Sequence, residues 1–266
     1  MRIRRLCLTL TLLTPVLLLA TQQPVTVTPQ AAQLLQRSLA ALIGNQKITD
    51  VTFTGSVHRI AGSDDETGTA VLTALAADAS RIDLNLSSGP RSEIQNNSGT
   101  SSVGSWSGTD GVAHPMSLHN LFTDSTWFFP SFSIAHRLSS TYSATFIGEE
   151  MRNGQSVQRV TVSQASGIQT PAGTPAMAHL TQMDFLLDST TFLPAAIAYN
   201  IHPDNDITVD IPVEIRFSDY RVINGVQVPF HVQRFLNNSL ALDLQFQNAA
   251  LNSGLTTTNF SVAVSQ

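Results

Sequence analysis

The chain has 266 residues, with 14 basic and 19 acidic side chains and a formal net charge of −5. Only 12% of residues are charged, about half of ordinary usage, while 42% are hydrophobic. This balance disfavours nucleic acid and anionic membrane surfaces as partners, and a single cysteine excludes an internal disulfide framework.

The first residues read as a leader rather than as fold. Arg2, Arg4 and Arg5 precede an apolar run from Leu6 to Ala20, broken by Pro15. That run is shorter than the roughly 20 apolar residues a membrane span needs. A basic flank, a short apolar core and the polar Thr21-Gln22-Gln23 that follow predict a signal peptide over 1–20 and export to the periplasm or beyond, with an uncleaved membrane anchor as the alternative. Cys7 lies inside this run, whereas a lipid-anchored protein carries its cysteine after it. Without the three leader arginines, eleven basic side chains face nineteen acidic ones, a net charge of −8. Residues 21–28 read as a linker, and 29–266 as a single domain.

Thr28 as a cap, Pro29 at the first helical position and a stripe of Leu34, Leu35, Leu39, Leu42 and Ile43 predict a helix ended by Gly44-Asn45. Strand alternation follows, with Val51, Phe53, Gly55 and Val57 on one face. Ala61 to Gly68 reads as a polar turn. Thr69 to Ala79 and Arg81 to Ser87 read as strands, with an alanine-rich helix as the alternative for Ala70 to Ala79. Gly89 to Pro115, rich in Gly, Ser and Asn, predicts weak edge strands and mobile loops. Met116 to Phe122 suits a helical turn. Thr126 to Leu138 holds Trp127, Phe128, Phe129, Phe132 and Ile134 without clear periodicity.

Regular alternation resumes at Tyr142. Phe146 to Met151, the Asn153-Gly154 turn and Ser156 to Ser163 predict a hairpin, and Ala165 to Pro175 a loop. Leu180 to Asp188 and Leu193 to Ile201 are strands around Ser189-Thr190-Thr191. The clearest writing runs from Val209 to Val232. Val209, Ile211, Val213, Ile215 and Phe217 alternate with polar residues, Asn224-Gly225 supplies a tight turn, and Val226, Val228, Phe230 and Val232 return. Leu240, Leu242, Leu244 and Phe246 make a final strand.

Chemistry-bearing motifs are sparse. Gly104-Ser105-Trp106-Ser107-Gly108 has a tryptophan where a nucleophile elbow needs serine. Glu149 and Glu150 are adjacent on a strand, so they face opposite ways. The seven histidines are scattered, and surface or hydrogen-bonded roles are expected for all of them. His202-Pro203-Asp204-Asn205-Asp206 offers oxygens two residues apart, but it lacks the glycine and terminal glutamate of a calcium loop and reads as a solvated turn. No metal, cofactor or catalytic residue is expected, and a secreted hydrolase is the least favoured reading.

The order of elements resembles the superfamily of outer-membrane lipoprotein-sorting carriers, the LolA-like proteins. The resemblance rests on the Ala31 to Gly44 helix, the glycine-centred strand Val51 to His58, and Phe146-Ile147-Gly148-Glu149 with Asn153-Gly154. It extends to Leu187-Asp188-Ser189-Thr190-Thr191-Phe192-Leu193-Pro194, to Phe217 through Pro229 with Asp219-Tyr220-Arg221, and to Leu240 through Asn252. These short motifs cover most of the chain after the leader. The resemblance implies a mainly β fold, an open antiparallel half-barrel over a helical plug, and no catalytic residue.

A long sheet with one dry face needs cover, and one helix plus an aromatic-rich loop is little cover for it. Either the sheet curls and fills its core, or an apolar space stays open. The open version takes up apolar ligands, and the resemblance then implies an exported, non-enzymatic binder or carrier of an acyl lipid or lipidated protein, with transient membrane contact. Val51, Phe53, Val57, Val213, Ile215, Phe217, Val228 and Phe230 then line the pocket, under a movable lid of Trp127, Phe128, Phe129 and Phe132. The filled version is a scaffold that meets protein partners through the Gly89 to Pro115 loops.

Overall fold

The computed structural model describes residues 25–76, 79–97, 102–123, 125–139, 141–164 and 176–262. The expected signal peptide and the Ala165 to Pro175 loop lie outside them. Helix α1 (Pro29–Ile43) is closed at its start by the Thr28 hydroxyl, which accepts from the Ala31 amide, and ends at Gly44, whose φ of 55° suits glycine. Its buried face holds Ala31, Leu34, Leu35, Ser38 and Leu42, the stripe that its 3.6-residue period predicts.

Thirteen strands make one open antiparallel sheet among the described residues. The first group is β1 (Asp50–Ala61), β2 (Asp64–Leu75), β3 (Ala79–Leu86), β4 (Gly89–Asn96), β5 (Val103–Ser107) and β6 (Ala113–Pro115). The second is β7 (Tyr142–Arg152), β8 (Gln155–Gln164), β9 (Met183–Asp188), β10 (Pro194–Ile201), β11 (Ile211–Ile223), β12 (Val226–Leu236) and β13 (Ser239–Leu251). Each group is a meander of neighbouring hairpins, and the two join where β1 pairs β13, giving the order β6-β5-β4-β3-β2-β1-β13-β12-β11-β10-β9-β8-β7. The Asn224-Gly225 turn has φ of 50° and 83°, as a tight hairpin requires.

Several expectations change. The acidic stretch Asp64-Asp65-Glu66 is strand rather than turn, because its charges are met across the hairpin: His58 faces Asp65 at 2.5 Å and Arg59 donates to Glu66 at 2.9 Å. The turn shrinks to Gly62-Ser63, whereas the alanine-rich segment after it is strand, as expected, and the alternative helix is not formed. The Gly89 to Pro115 region holds three paired strands, β4 to β6. The Thr126 to Leu138 segment contains helix α2 (Pro130–Arg137), hidden from periodicity because polar and apolar residues alike are buried in it. A third helix, α3 (Ala176–Leu180), precedes β9, and β11 begins at Ile211 rather than Val209.

The segment between β6 and β7 crosses the dry face and plugs it with α1. Trp127, Phe128, Phe129 and Ile134 are at most 2% exposed. Phe53 of β1 stacks on Phe246 of β13 at 4.4 Å and meets Phe128 and Phe129 edge-on at 6.1 and 5.9 Å. Gly55 permits this seam to close: a Cβ there would lie 2.2 Å from the Gln245 carbonyl oxygen, beside a register shift in the ladder.

Candidate functional site

The register draws a single row of side chains across the inner face. It reads Glu66, Arg59, Leu242, Arg234, Ile215, Ile197, Phe185 and Val160, from β2 to β8. Opposed residues on neighbouring strands share a face, so Arg59 and Arg234 occupy dry-face positions. They extend the apolar series Val51-Phe53-Gly55-Val57 and Val228-Phe230-Val232 by one step. Here the plug stops. Beyond it lies a cavity of about 810 Å³, floored by Ile82, Leu84, Leu236 and Leu242 and bordered by Arg59, Arg91, Arg234 and Trp106.

Ile82 and Leu84 belong to the main core, so the cavity continues the core rather than standing apart from it. Its volume lies in the range of small-ligand sites, and its mixture of an apolar floor with a few convergent polar groups is what such sites share. The guanidinium of Arg59 donates to Glu66 at 2.9 Å and that of Arg91 to the same carboxylate oxygen at 3.3 Å. A hydrogen bond from Ser88, together with these two arginines, holds the Glu66 carboxyl below its usual range despite burial. One carboxylate thus serves two cations. Arg234 lies over the Trp127 ring at 5.3 Å, and Trp106, 47% exposed, stacks on His114 at 4.3 Å. The site can take up an apolar chain on its floor and an anionic group at its rim.

The twelve residues expected to line a pocket lie elsewhere. Val51, Phe53, Val57, Val213, Ile215, Phe217, Val228, Phe230, Trp127, Phe128, Phe129 and Phe132 are all buried in the main core, and none borders this cavity. The alternation identified their face correctly. It could not say which part of that face α1 and the β6–β7 segment would cover. A usable signal was present: arginine in the dry register at a strand end marks where cover runs out.

The His202 to Asp206 segment is a structured turn. Asp206 accepts from the Thr208 amide at 2.9 Å and its hydroxyl at 2.6 Å, and Asp204 accepts from the Ser117 hydroxyl. His202 turns inward and is buried, and of the surface or hydrogen-bonded roles expected for it the second holds, its Nδ1 lying 3.1 Å from the Val209 carbonyl oxygen. Burial pushes its imidazole below the ordinary value.

Among the described residues, no helix is long and apolar enough to cross a membrane. No protein-family model matches the sequence, and no curated protein matches it. Solved structures do match in shape. A DUF1329 family protein from Desulfovibrio piger is 12% identical, covering 89% of this chain and 98% of that one, with a TM-score of 0.57. A domain assigned to outer membrane lipoprotein sorting from Vibrio parahaemolyticus is 11% identical over 87% and 96%, with a TM-score of 0.54. A LolA superfamily protein from Nitrosomonas europaea is 10% identical over 87% and 97%, with a TM-score of 0.52. At such identities the likeness is one of architecture, and the architecture of this chain is the LolA-like fold.

Proposed function

We propose that this protein is an exported, non-enzymatic binder of an acyl lipid or of a lipidated protein in the cell envelope, and that the open cavity holds the hydrocarbon. The observation that carries this reading is the cavity itself: apolar on its floor, continuous with the core and rimmed by Arg59, Arg91 and Arg234. Each methylene moved from water to such a floor stabilises the complex by about 0.8 kcal/mol. The arginines suit a phosphate or carboxylate at the other end of the ligand. The packed residues from Val51 to Phe230 then form a deeper layer, reached by a longer chain when the plug of Trp127, Phe128, Phe129 and Phe132 shifts. The Vibrio parahaemolyticus structure named for lipoprotein sorting and the Nitrosomonas europaea structure of the LolA superfamily support this reading by fold alone.

The test is organic extraction of protein purified from its native host, followed by titration of the stripped protein with a fluorescent fatty acid. One lipid per chain and saturable uptake are expected. Trp106→Asp changes an exposed rim residue and is expected to abolish uptake while sparing the fold. A stripped protein that takes up no fatty acid, or a Trp106→Asp variant that binds as well as the parent, sinks the assignment. The filled-core alternative draws on the full enclosure of Phe128 and Phe129. It predicts no lipid in the extract and a protein partner bound through the Gly89 to Pro115 strands instead.

A further inference from the structure

Three segments far apart in sequence bring one carboxylate and two imidazoles together. His179 comes from α3, His202 directly follows β10, and Asp210 directly precedes β11. Among the described residues these are the three whose potential ligand atoms all lie within 4.8 Å of one another. His179 Nε2 stands 3.0 Å and His202 Nδ1 3.5 Å from the same Asp210 oxygen. We propose that His179, His202 and Asp210 bind one divalent transition-metal ion, with zinc the best match to this donor set.

Bonds of about 2.0–2.2 Å in a tetrahedron place donor atoms about 3.3–3.6 Å apart. The His202 separation falls within that spacing, and the His179 separation lies just below it. Two imidazole nitrogens and one carboxylate suit zinc and its neighbours, not calcium or magnesium, which take oxygen ligands. Hydrogen bonding alone serves His202 poorly. Its side chain is fully enclosed, its Nε2 has no hydrogen-bond partner, and its Nδ1 faces two oxygens, Val209 carbonyl at 3.1 Å and Asp210. One Nδ1–H satisfies the Val209 carbonyl and leaves the Asp210 oxygen unmet; with an ion at the Nδ1 lone pair the ring proton sits on Nε2, and the gain is at Asp210. The rings of His179 and His119 pack against His202 at 5.1 and 6.2 Å and fix its orientation. A cavity of about 230 Å³, bordered by His179, Asp210 and Gln182, leaves room for a water as the fourth ligand. The ion would clip α3 to the loop joining β10 and β11, a role independent of the lipid cavity.

The experiment uses the full, untagged chain stripped with chelator and titrated with zinc chloride by calorimetry. One zinc per chain is expected, with a rise in Tm on binding. His179 is partly buried and Asp210 exposed, so His179→Ala and Asp210→Asn are chosen to preserve the fold, checked by circular dichroism. Each is expected to weaken zinc about tenfold or more and to cancel the Tm rise. Cobalt substituted into the parent is expected to give visible absorption bands that the variants lack. Equal zinc affinity in the parent and in both variants overturns the site, as does a Tm rise with calcium equal to that with zinc.

Discussion

The hydroxyl of Tyr220 on β11 donates to the carbonyl oxygen of Pro194 at the start of β10, at 2.9 Å. Two motifs separated in sequence, Leu193-Pro194 and Asp219-Tyr220-Arg221, are thereby one structural unit. Burial pushes the Tyr220 phenol well above its ordinary value, so it stays protonated and donating. Just before it, Asp219 holds a φ of 51° and pairs with Arg221 at 2.6 Å. Ahead of Pro194, Asp188 accepts from the Thr190 and Thr191 amides at 3.1 and 2.7 Å and closes the turn.

Tyr220→Phe keeps the ring and removes the donor. A loss of about 1–2 kcal/mol is expected in urea unfolding, with an unchanged m-value because the surface exposed on unfolding is the same. A neutral substitution would mean that water replaces the phenol at Pro194.

Phe129 touches both Phe53 and Phe132 and has no exposed surface. Phe129→Asp places a charge in that contact and is expected to cost about 4 kcal/mol or more, so the variant should not accumulate as folded protein. Trp106→Asp at the cavity rim is expected to unfold at the parent's urea midpoint. This contrast separates core from site, and soluble expression with circular dichroism reads it.

Gly55→Val places a branched side chain against the Gln245 carbonyl and the Phe246 Cα, where even a Cβ would sit at 2.2 and 2.7 Å. Because the obstacle is backbone, the β1–β13 ladder must open. A loss of about 3 kcal/mol or more is expected, with faster hydrogen exchange along β13 than along β9.

Acid should weaken the fold through Asp50. Burial pushes its carboxyl up, but the Ser253 hydroxyl and amide, the Gly254 amide and the Thr49 hydroxyl together hold it below its ordinary 3.8. A depressed carboxyl contributes stability that is complete above the unfolded value and is lost as pH falls through the folded one. Glu214 behaves alike: hydrogen bonds from Arg216 and Arg152 outweigh its burial. Stability is therefore expected to drop below about pH 4, and Asp50→Asn to flatten the drop. Urea midpoints from pH 7 to pH 2 for both proteins check this.

Most strands were legible because alternation is local: Val213, Ile215 and Phe217 declare their face within five residues, and Asn224-Gly225 declares its turn by backbone geometry. Helix α1 was legible for the same reason, since Thr28, Pro29 and Gly44 act on adjacent peptide groups. Helix α2 was not, because a helix buried nearly all round has no stripe to read. Nor was the acidic start of β2, whose partners His58 and Arg59 are supplied by the facing strand.

By itself, then, the order of residues determined which segments extend, where they turn and which face is dry, all of them consequences of short-range sterics and side-chain period. The folded chain alone decided how far the plug reaches across that face, because cover is supplied by segments distant in sequence. Arg59 and Arg234 are left bordering a cavity, while Phe53 and Val228 on the same two strands are sealed.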